Sequence, residues 1–424
     1  MKLPRRDRNA ERSFRLARAV AAAILLLSSH SLARAESAYS VGGTSPLSLR
    51  ALIDFRIVPT DTATSWTDRG PGKTRYGGRK TQGGGFEHTT RFALSQVALE
   101  VGAALPLEVS LHSQINWEAD VDDHGDIEND GWPRLIEAFA RREWGGAETG
   151  FGGQAGVMNA PFSLEHRGPA WTSPYTLTPS ALNTWLWEEP RIVGIEAETW
   201  RELGEVASVD LVGAFGWGPD ELGWLLAERG FVLSDFLSGV NSELPLPTGT
   251  KESDVFDERD GRPAIYAAVR IRDARRIGEL RLGYFDNLGD QGEGGTWETR
   301  FGTAGVLLQP WSKLELGFQY MAGTIATEVN KWDSHFYALY PLVSLRHRGH
   351  RVSFRYDWFD VDDDEHEAPF SGENGQAFTV AYLYEFRLRH RVGVEYIHVD
   401  SERARPSDRN RTDDVWQLSY RYRY

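Results

Sequence analysis

The sequence predicts an all-β fold: a transmembrane antiparallel β-barrel of about sixteen strands with an inward-folded third extracellular loop. Three observations predict it. Period-two alternation of apolar and polar residues recurs along the chain in segments of about ten residues. The connectors between segments alternate between long and short. The final stretch, 413–424, is an apolar and aromatic strand at a place where soluble chains usually fray.

That final stretch puts Trp416, Leu418, Tyr420, Tyr422 and Tyr424 on one face of an extended strand and Gln417, Ser419, Arg421 and Arg423 on the other. Pairing it with the first strand closes a barrel that has no edges. Its terminal aromatic resembles the signature by which bacterial outer-membrane barrels are handed to their insertion machinery.

At the other end, Lys2, Arg5, Arg6, Arg8, Arg12, Arg15 and Arg18 precede an apolar run over 19–27, and Ala33-Arg34-Ala35 offers a small-x-small cleavage site. This is the pattern of a secretory signal peptide over 1–35, with 36–424 left as the barrel. The whole chain carries a formal charge of −14. Its first 35 residues hold eight bases and two acids, so the remainder is more acidic still. Such acidity argues against nucleic acid as a partner. The absence of cysteine rules out disulfides and thiolate metal sites. No run beyond the signal approaches the roughly twenty apolar residues that a helical span needs.

The expected strands are 47–58, 89–102, 107–118, 134–144, 147–158, 191–201, 205–216, 263–272, 277–286, 297–308, 312–324, 335–346, 351–360, 377–388, 391–399 and 413–424. The first sets Leu49, Ala51, Ile53, Phe55 and Ile57 against Arg50, Asp54 and Arg56. In the third, Leu107, Val109, Leu111, Ile115 and Trp117 alternate with Glu108, Ser110, His112, Gln114, Asn116 and Glu118. The long connectors cover roughly 59–88, 119–133, 159–190, 217–262, 287–296, 325–334, 361–376 and 400–412, and the short ones hold two to five residues. This parity puts both termini on the periplasmic side, a regularity that sandwiches and propellers lack. Acids crowd the long loops (118–123, 126–130, 360–367) and arginines the short turns (270–276, 346–351, 387–391), which predicts an acidic mouth and a basic periplasmic rim.

A charge facing lipid near the midplane costs about 2–4 kcal/mol. Alternation therefore assigns Arg50, Asp54, Arg56, His112, Glu118, Glu196, Arg270, Arg281 and Arg355 to a pore lining of mixed sign. The loop 159–190 is rich in aromatics (Phe162, Trp171, Tyr175, Trp185, Trp187), which are costly to leave in water. It is expected to fold inward and constrict the pore, bringing Glu165, His166, Arg167, Glu188 and Glu189 to the narrowest part. Residues 219–229 read as a short helix with Leu222, Leu225 and Leu226 on one face, packed over the mouth. The acidic run at 120–125 lacks the glutamate that a calcium loop needs, since Gly131 stands there, so divalent ions bridging it to lipopolysaccharide are expected instead. With no nucleophile elbow, Walker loop or paired-histidine spacing, neither an enzyme nor a cofactor is expected.

Residues Gly156-Val157-Met158-Asn159-Ala160-Pro161-Phe162-Ser163-Leu164-Glu165 resemble the Gly-x-x-x-x-Pro-Phe-x-x-Glu segment of the phosphate-selective porin O and P family, at the end of the fifth strand. Signal, strand count, loop parity and terminal aromatic extend the resemblance over most of the chain. It implies a homotrimer in the bacterial outer membrane, in contact with outer-membrane lipid and lipopolysaccharide. Each barrel would be a water-filled channel for passive diffusion of small hydrophilic or anionic solutes. The lysines on which that family's phosphate selectivity rests are missing, as no lysine lies between Lys80 and Lys251. The alternative is a structural or surface-interaction barrel plugged by its third loop.

Overall fold

The alternating segments close into one wall. The computed structural model describes residues 46–424 apart from 61–62, 82–85, 122–126, 129–132, 247–251, 276, 292–295, 329–331, 364–371 and 404–409. The expected signal peptide and most of the acidic loop runs lie outside the described residues. Sixteen strands build the wall: β1 (Leu47–Thr60), β2 (Thr89–Leu105), β3 (Val109–Val121), β4 (Arg134–Gly145), β5 (Thr149–Asn159), β6 (Arg191–Leu203), β7 (Ala207–Trp217), β8 (Pro263–Asp273), β9 (Gly278–Asp286), β10 (Glu298–Trp311), β11 (Leu314–Thr327), β12 (Trp332–His347), β13 (His350–Asp363), β14 (Glu373–Phe386), β15 (His390–Arg403) and β16 (Asn410–Arg423).

Each strand pairs antiparallel with its neighbours in sequence, and β1 pairs with both β2 and β16, so the wall has no free edge. At the seam Ile53 stands opposite Tyr422 and Ile57 opposite Leu418. Tyr424 and Ala51 exchange backbone hydrogen bonds of 2.8 and 3.2 Å. On the inner side Ser419 Oγ and Arg421 Nε donate to Asp54 at 2.7 and 2.8 Å. No helix among the described residues is long and apolar enough to cross a membrane.

The wall is apolar outside and polar inside. Phe55, Phe92, Ile195, Phe215 and Trp416 are each more than half exposed on the exterior, while Asp54, Arg355 and Glu395 are fully buried. This reverses the usual order of a soluble protein and suits hydrocarbon around the barrel. Aromatic groups gather outside near the short turns. Trp144 stacks on Phe151 at 5.5 Å and His350 on Tyr384 at 4.4 Å, as in an interfacial girdle.

The strands depart from the expected ones in a few places, each with a local cause. β14 stops at Phe386 because Arg387 and Leu388 take left-handed conformations (φ 51° and 59°) and reverse the chain two residues early. A register shift between Leu308 and Trp311 carries β10 past its expected end. In β12, Pro341 has no N–H to donate, and pairing with β13 lapses between Leu339 and Leu342.

The third long loop (160–190) folds into the barrel and carries helix α1 (Ala181–Glu188), whose N-cap Ser180 accepts from Asn183 N. The fourth (218–262) carries α2 (Trp224–Arg229). That helix is shorter than the expected 219–229 because Gly223 (φ 94°) breaks the chain ahead of it, yet Leu222, Leu225 and Leu226 are all buried.

Two expectations need correction. The lumen is not polar throughout. Toward the long-loop end Phe285, Phe301, Ile325, Phe336, Phe359 and Ile397 face inward and pack with Phe162, Trp185, Leu222, Leu226, Phe231 and Leu237 from the two loops. Of the strands concerned, β12 is apolar on both faces over 336–343, as strands covered on both sides are. Nor is the short-turn rim uniformly basic. Arg351, Arg391 and Arg421 are buried, and Arg270 and Arg272 turn inward onto Asp210 at 2.5 and 3.1 Å. Glu108, Glu148 and Glu205 occupy the turns on the other side of the rim, with Glu202 at the end of β6.

Candidate functional site

A loop inside a barrel must find partners for its backbone polar groups, and here the wall supplies them. The third loop leaves β5 and is held against strands from β9 round to β2. Arg281 on β9 donates to Ser163 O at 2.6 Å. Gln319 on β11 bonds both Phe162 O and Leu164 N, at 3.0 and 3.2 Å. Leu177 N and Thr178 N donate to Glu395 on β15 at 2.6 and 3.0 Å. Ala170 N donates to Glu100 on β2 at 2.7 Å. At the centre of this arc lies Arg355 on β13. It reaches Glu165 at 2.9 Å, Asp357 at 2.8 Å and the carbonyls of Thr178 and Pro179 at 2.8 and 3.0 Å. Glu165 in turn accepts from Ser180 N and Asn183 Nδ2, both at 2.8 Å.

The end of the loop is tied to the fourth loop. Glu188 pairs with Arg229 at 2.6 Å, and Arg191 donates to Ser238 Oγ at 2.6 Å. Burial pushes the Glu189 carboxyl up to about 8, against the Trp185 indole N–H that pulls it down. His166 is buried against Trp187, bonded to Ser163 Oγ at 2.9 Å, and burial takes its imidazole down to about 3. It is therefore neutral at pH 7. Nearer the mouth, a chain of buried charges joins wall and loops. Arg56 on β1 meets Asp235 at 2.6 Å, Asp235 meets Arg75 at 3.0 Å, Arg75 meets Glu118 on β3, and Glu118 meets Arg134 on β4 at 2.7 Å.

The inner face from β3 to β9, toward the short turns, is charged and stays partly open. Arg167 is 29 % exposed, Arg270 36 % and Arg272 41 %. Arg270 and Arg272 share Asp210; Arg167 and Arg281 share Glu279, each at 2.6 Å. Two guanidiniums meet one carboxylate at each point, with Glu198 also 4.0 Å from Arg270. Arg141 pairs with Glu198 at 2.5 Å, His112 lies 2.8 Å from Glu137, and Tyr266 donates to Glu196.

Arg167, Arg270, Arg281, His112 and Glu196 of the sequence-derived set thus share the partly open sector. Arg56, Glu118, Glu165, His166, Glu188, Glu189 and Arg355 are buried in loop-to-wall packing, and Asp54 is buried within the wall against Ser419 and Arg421. Arg50 lies nearer the rim, half exposed and 3.8 Å from Glu100. Sequence reasoning missed Arg141, Glu198 and Asp210. Glu198 was within reach, two residues from Glu196 on the same face. Among the described residues, one trio could hold a metal ion: Asp220, Glu258 and Asp260 of the fourth loop bring oxygens within 4.8 Å of one another. Burial, with Asp220 alongside, raises the Glu258 carboxyl to about 7.

No protein-family model matches the chain, and no curated protein matches it. Solved structures do. The fold is similar to the outer membrane channel DcaP of Acinetobacter baumannii, with TM-score 0.54 and 11 % identity over 89 % of this chain and 97 % of that one. It is similar to OmpF of Salmonella typhi, solved in complex with daunomycin, with TM-score 0.51 and 11 % identity over the same shares. For an anion-selective porin from Comamonas acidovorans the TM-score is 0.50, with 9 % identity over 89 % of this chain and 99 % of that one. At these identities the likeness is one of fold, the closed sixteen-stranded barrel of porins.

Proposed function

We propose that the protein is an outer-membrane porin passing small hydrophilic solutes, anions in preference, by passive diffusion. One observation carries this reading: a partly open inner face on which two arginines share a carboxylate at Asp210 and again at Glu279. Such a face attracts and orients anions without fixing them tightly. The fold likeness to porins agrees with it, as does an exterior suited to lipid. The resemblance to phosphate-selective porins does not extend to the lysines of that family's pore, so phosphate specificity is not part of this reading. We read residues 1–35 as the export signal, β16 as the strand presented for insertion and the homotrimer as the working form.

The apolar packing of the third and fourth loops favours a second reading, a plugged barrel that conducts nothing. Single-channel recording of refolded protein in planar bilayers, with the reversal potential under a salt gradient, separates the two. Steps in groups of three and an anion-side reversal are expected. Silence from folded protein would overturn the channel, and current regained on deleting 163–187 would identify the third loop as the plug.

A further inference from the structure

The short-turn rim divides by charge, and the division has a partner written into it. Turns from β10 to β15 expose Lys313, Arg346, Arg348, Arg387 and Arg389. Backbone bonds join these turns into one arc: Arg346 N to Lys313 O, Glu385 N to Gly349 O and Arg423 N to Arg389 O, each 2.8 Å. Glu385 stands within the arc, 3.4 Å from Arg423. Across the barrel the rim exposes Glu108, Glu148, Glu202 and Glu205, with Arg201 among them.

Apolar side chains stand among the cations. Leu388 is 91 % exposed between Arg387 and Arg389, and Trp311 is 68 % exposed two residues from Lys313. A left-handed leucine held out at a turn tip is strained and needs bracing. Arg423 supplies it by donating to Leu388 O at 3.2 Å, and Arg389 N closes the turn on Arg387 O at 2.7 Å. On the outer face of the same strands His350 lies 2.7 Å from Tyr382 Oη and His390 2.9 Å from Tyr420 Oη. Aromatics with apolar tips and guanidiniums at one height are the equipment of a membrane interface, and guanidinium matches a phosphate geometrically.

We infer that this arc docks anionic phospholipids of the leaflet at the short-turn face. Leu388 and Trp311 enter the acyl boundary, while Lys313, Arg348, Arg387 and Arg389 bind the phosphodiester. The acidic arc opposite repels the same headgroups, so the barrel sorts lipid around its circumference. The inference rests on the reading that the barrel lies in a bilayer, but not on its conducting.

The test is native mass spectrometry of the refolded protein from micelles holding equal phosphatidylglycerol and phosphatidylethanolamine, with folding checked by circular dichroism. Phosphatidylglycerol should be retained in preference. A triple variant, Arg348→Gln, Arg387→Gln and Arg389→Gln, should cut that preference about tenfold or more. Glu148→Gln with Glu202→Gln and Glu205→Gln should not reduce it. Equal retention of both lipids by the parent protein overturns the inference. So does binding of soluble polyglutamate, lost in the triple arginine variant, without lipid preference, which would assign the arc to an acidic polymer. Conductance of the same preparations is read separately: a silent barrel that still sorts lipid sinks only the channel, and a conducting one without preference sinks only this inference.

Discussion

The two ends of the barrel interior are built by the same strands and packed by opposite rules. Toward the long loops, inward Phe301, Ile325, Phe336 and Phe359 meet Trp185, Leu226 and Phe231 in an apolar core. Toward the short turns, Arg281, Arg355, Arg391 and Glu395 meet the carbonyls and N–H groups of the third loop. The loop decides the difference. Where it presents helix α1 and aromatic side chains, the wall answers with apolar residues. Where it runs extended, its backbone needs donors and acceptors, and the wall provides charge. From β3 to β9 the charged half keeps solvent contact, and there two arginines share one carboxylate at Asp210 and at Glu279.

Breaking the charged half at its centre should have the largest effect. Arg355→Ala leaves Glu165 and Asp357 buried without their cation, and about 3–5 kcal/mol of stability should go. Urea unfolding would show the loss, and unseating of the third loop would show as noisy or enlarged conductance. Arg355→Lys should rescue little, because an ammonium cannot span two carboxylates and two carbonyls as the planar fork does. In the apolar half, Ile325→Ala should cost about 2–5 kcal/mol through a cavity, read as a lowered melting temperature. If the halves are independent, its reversal potential stays at the parent value.

A smaller effect should appear with pH. The Glu189 carboxyl is raised from 4.5 to about 8 by burial, so its contribution to loop packing is full below 4.5 and is lost as pH rises through 8. Melting temperatures at pH 5, 7 and 9 should fall in that order, and Glu189→Gln should flatten the series. Smallest in stability, within about 1 kcal/mol each, should be Arg272→Gln and, separately, Arg167→Gln, since both arginines are partly exposed and Arg270 or Arg281 still pairs with the buried carboxylate. Their mark should be a reversal potential moved toward cations; an unmoved potential would mean that the open sector carries no current.

Much of the fold was legible because a wall of this kind repeats one rule. Alternation and connector parity located all sixteen strands, and the aromatic load of 159–190 foretold a loop turned inward. What escaped was which inward residues meet water. Arg56, Glu118 and Arg355 share the parity of Arg270, yet loop atoms remote in sequence cover them: Asp235 lies on Arg56, Arg75 on Glu118, and Thr178 and Glu165 on Arg355. Period two reports a side, never a neighbour. Strand β12 did carry a signal, being apolar on both faces over 336–343, which marks an inner face that something must cover.

The seam between β1 and β16 has a consequence for how the molecule comes to exist. Asp54 and Arg421, which clasp across it, stand 367 residues apart in sequence. Until β16 arrives, the remaining strands form a curved sheet with two open margins, each a row of unpaired N–H and C=O groups that the hydrocarbon of a bilayer would not tolerate. Assembly is therefore close to all-or-none, and its slowest step is a meeting of the chain's far ends. A product cut short by its last dozen residues would not be a slightly weaker barrel. It would carry two sticky borders and no means of closing them.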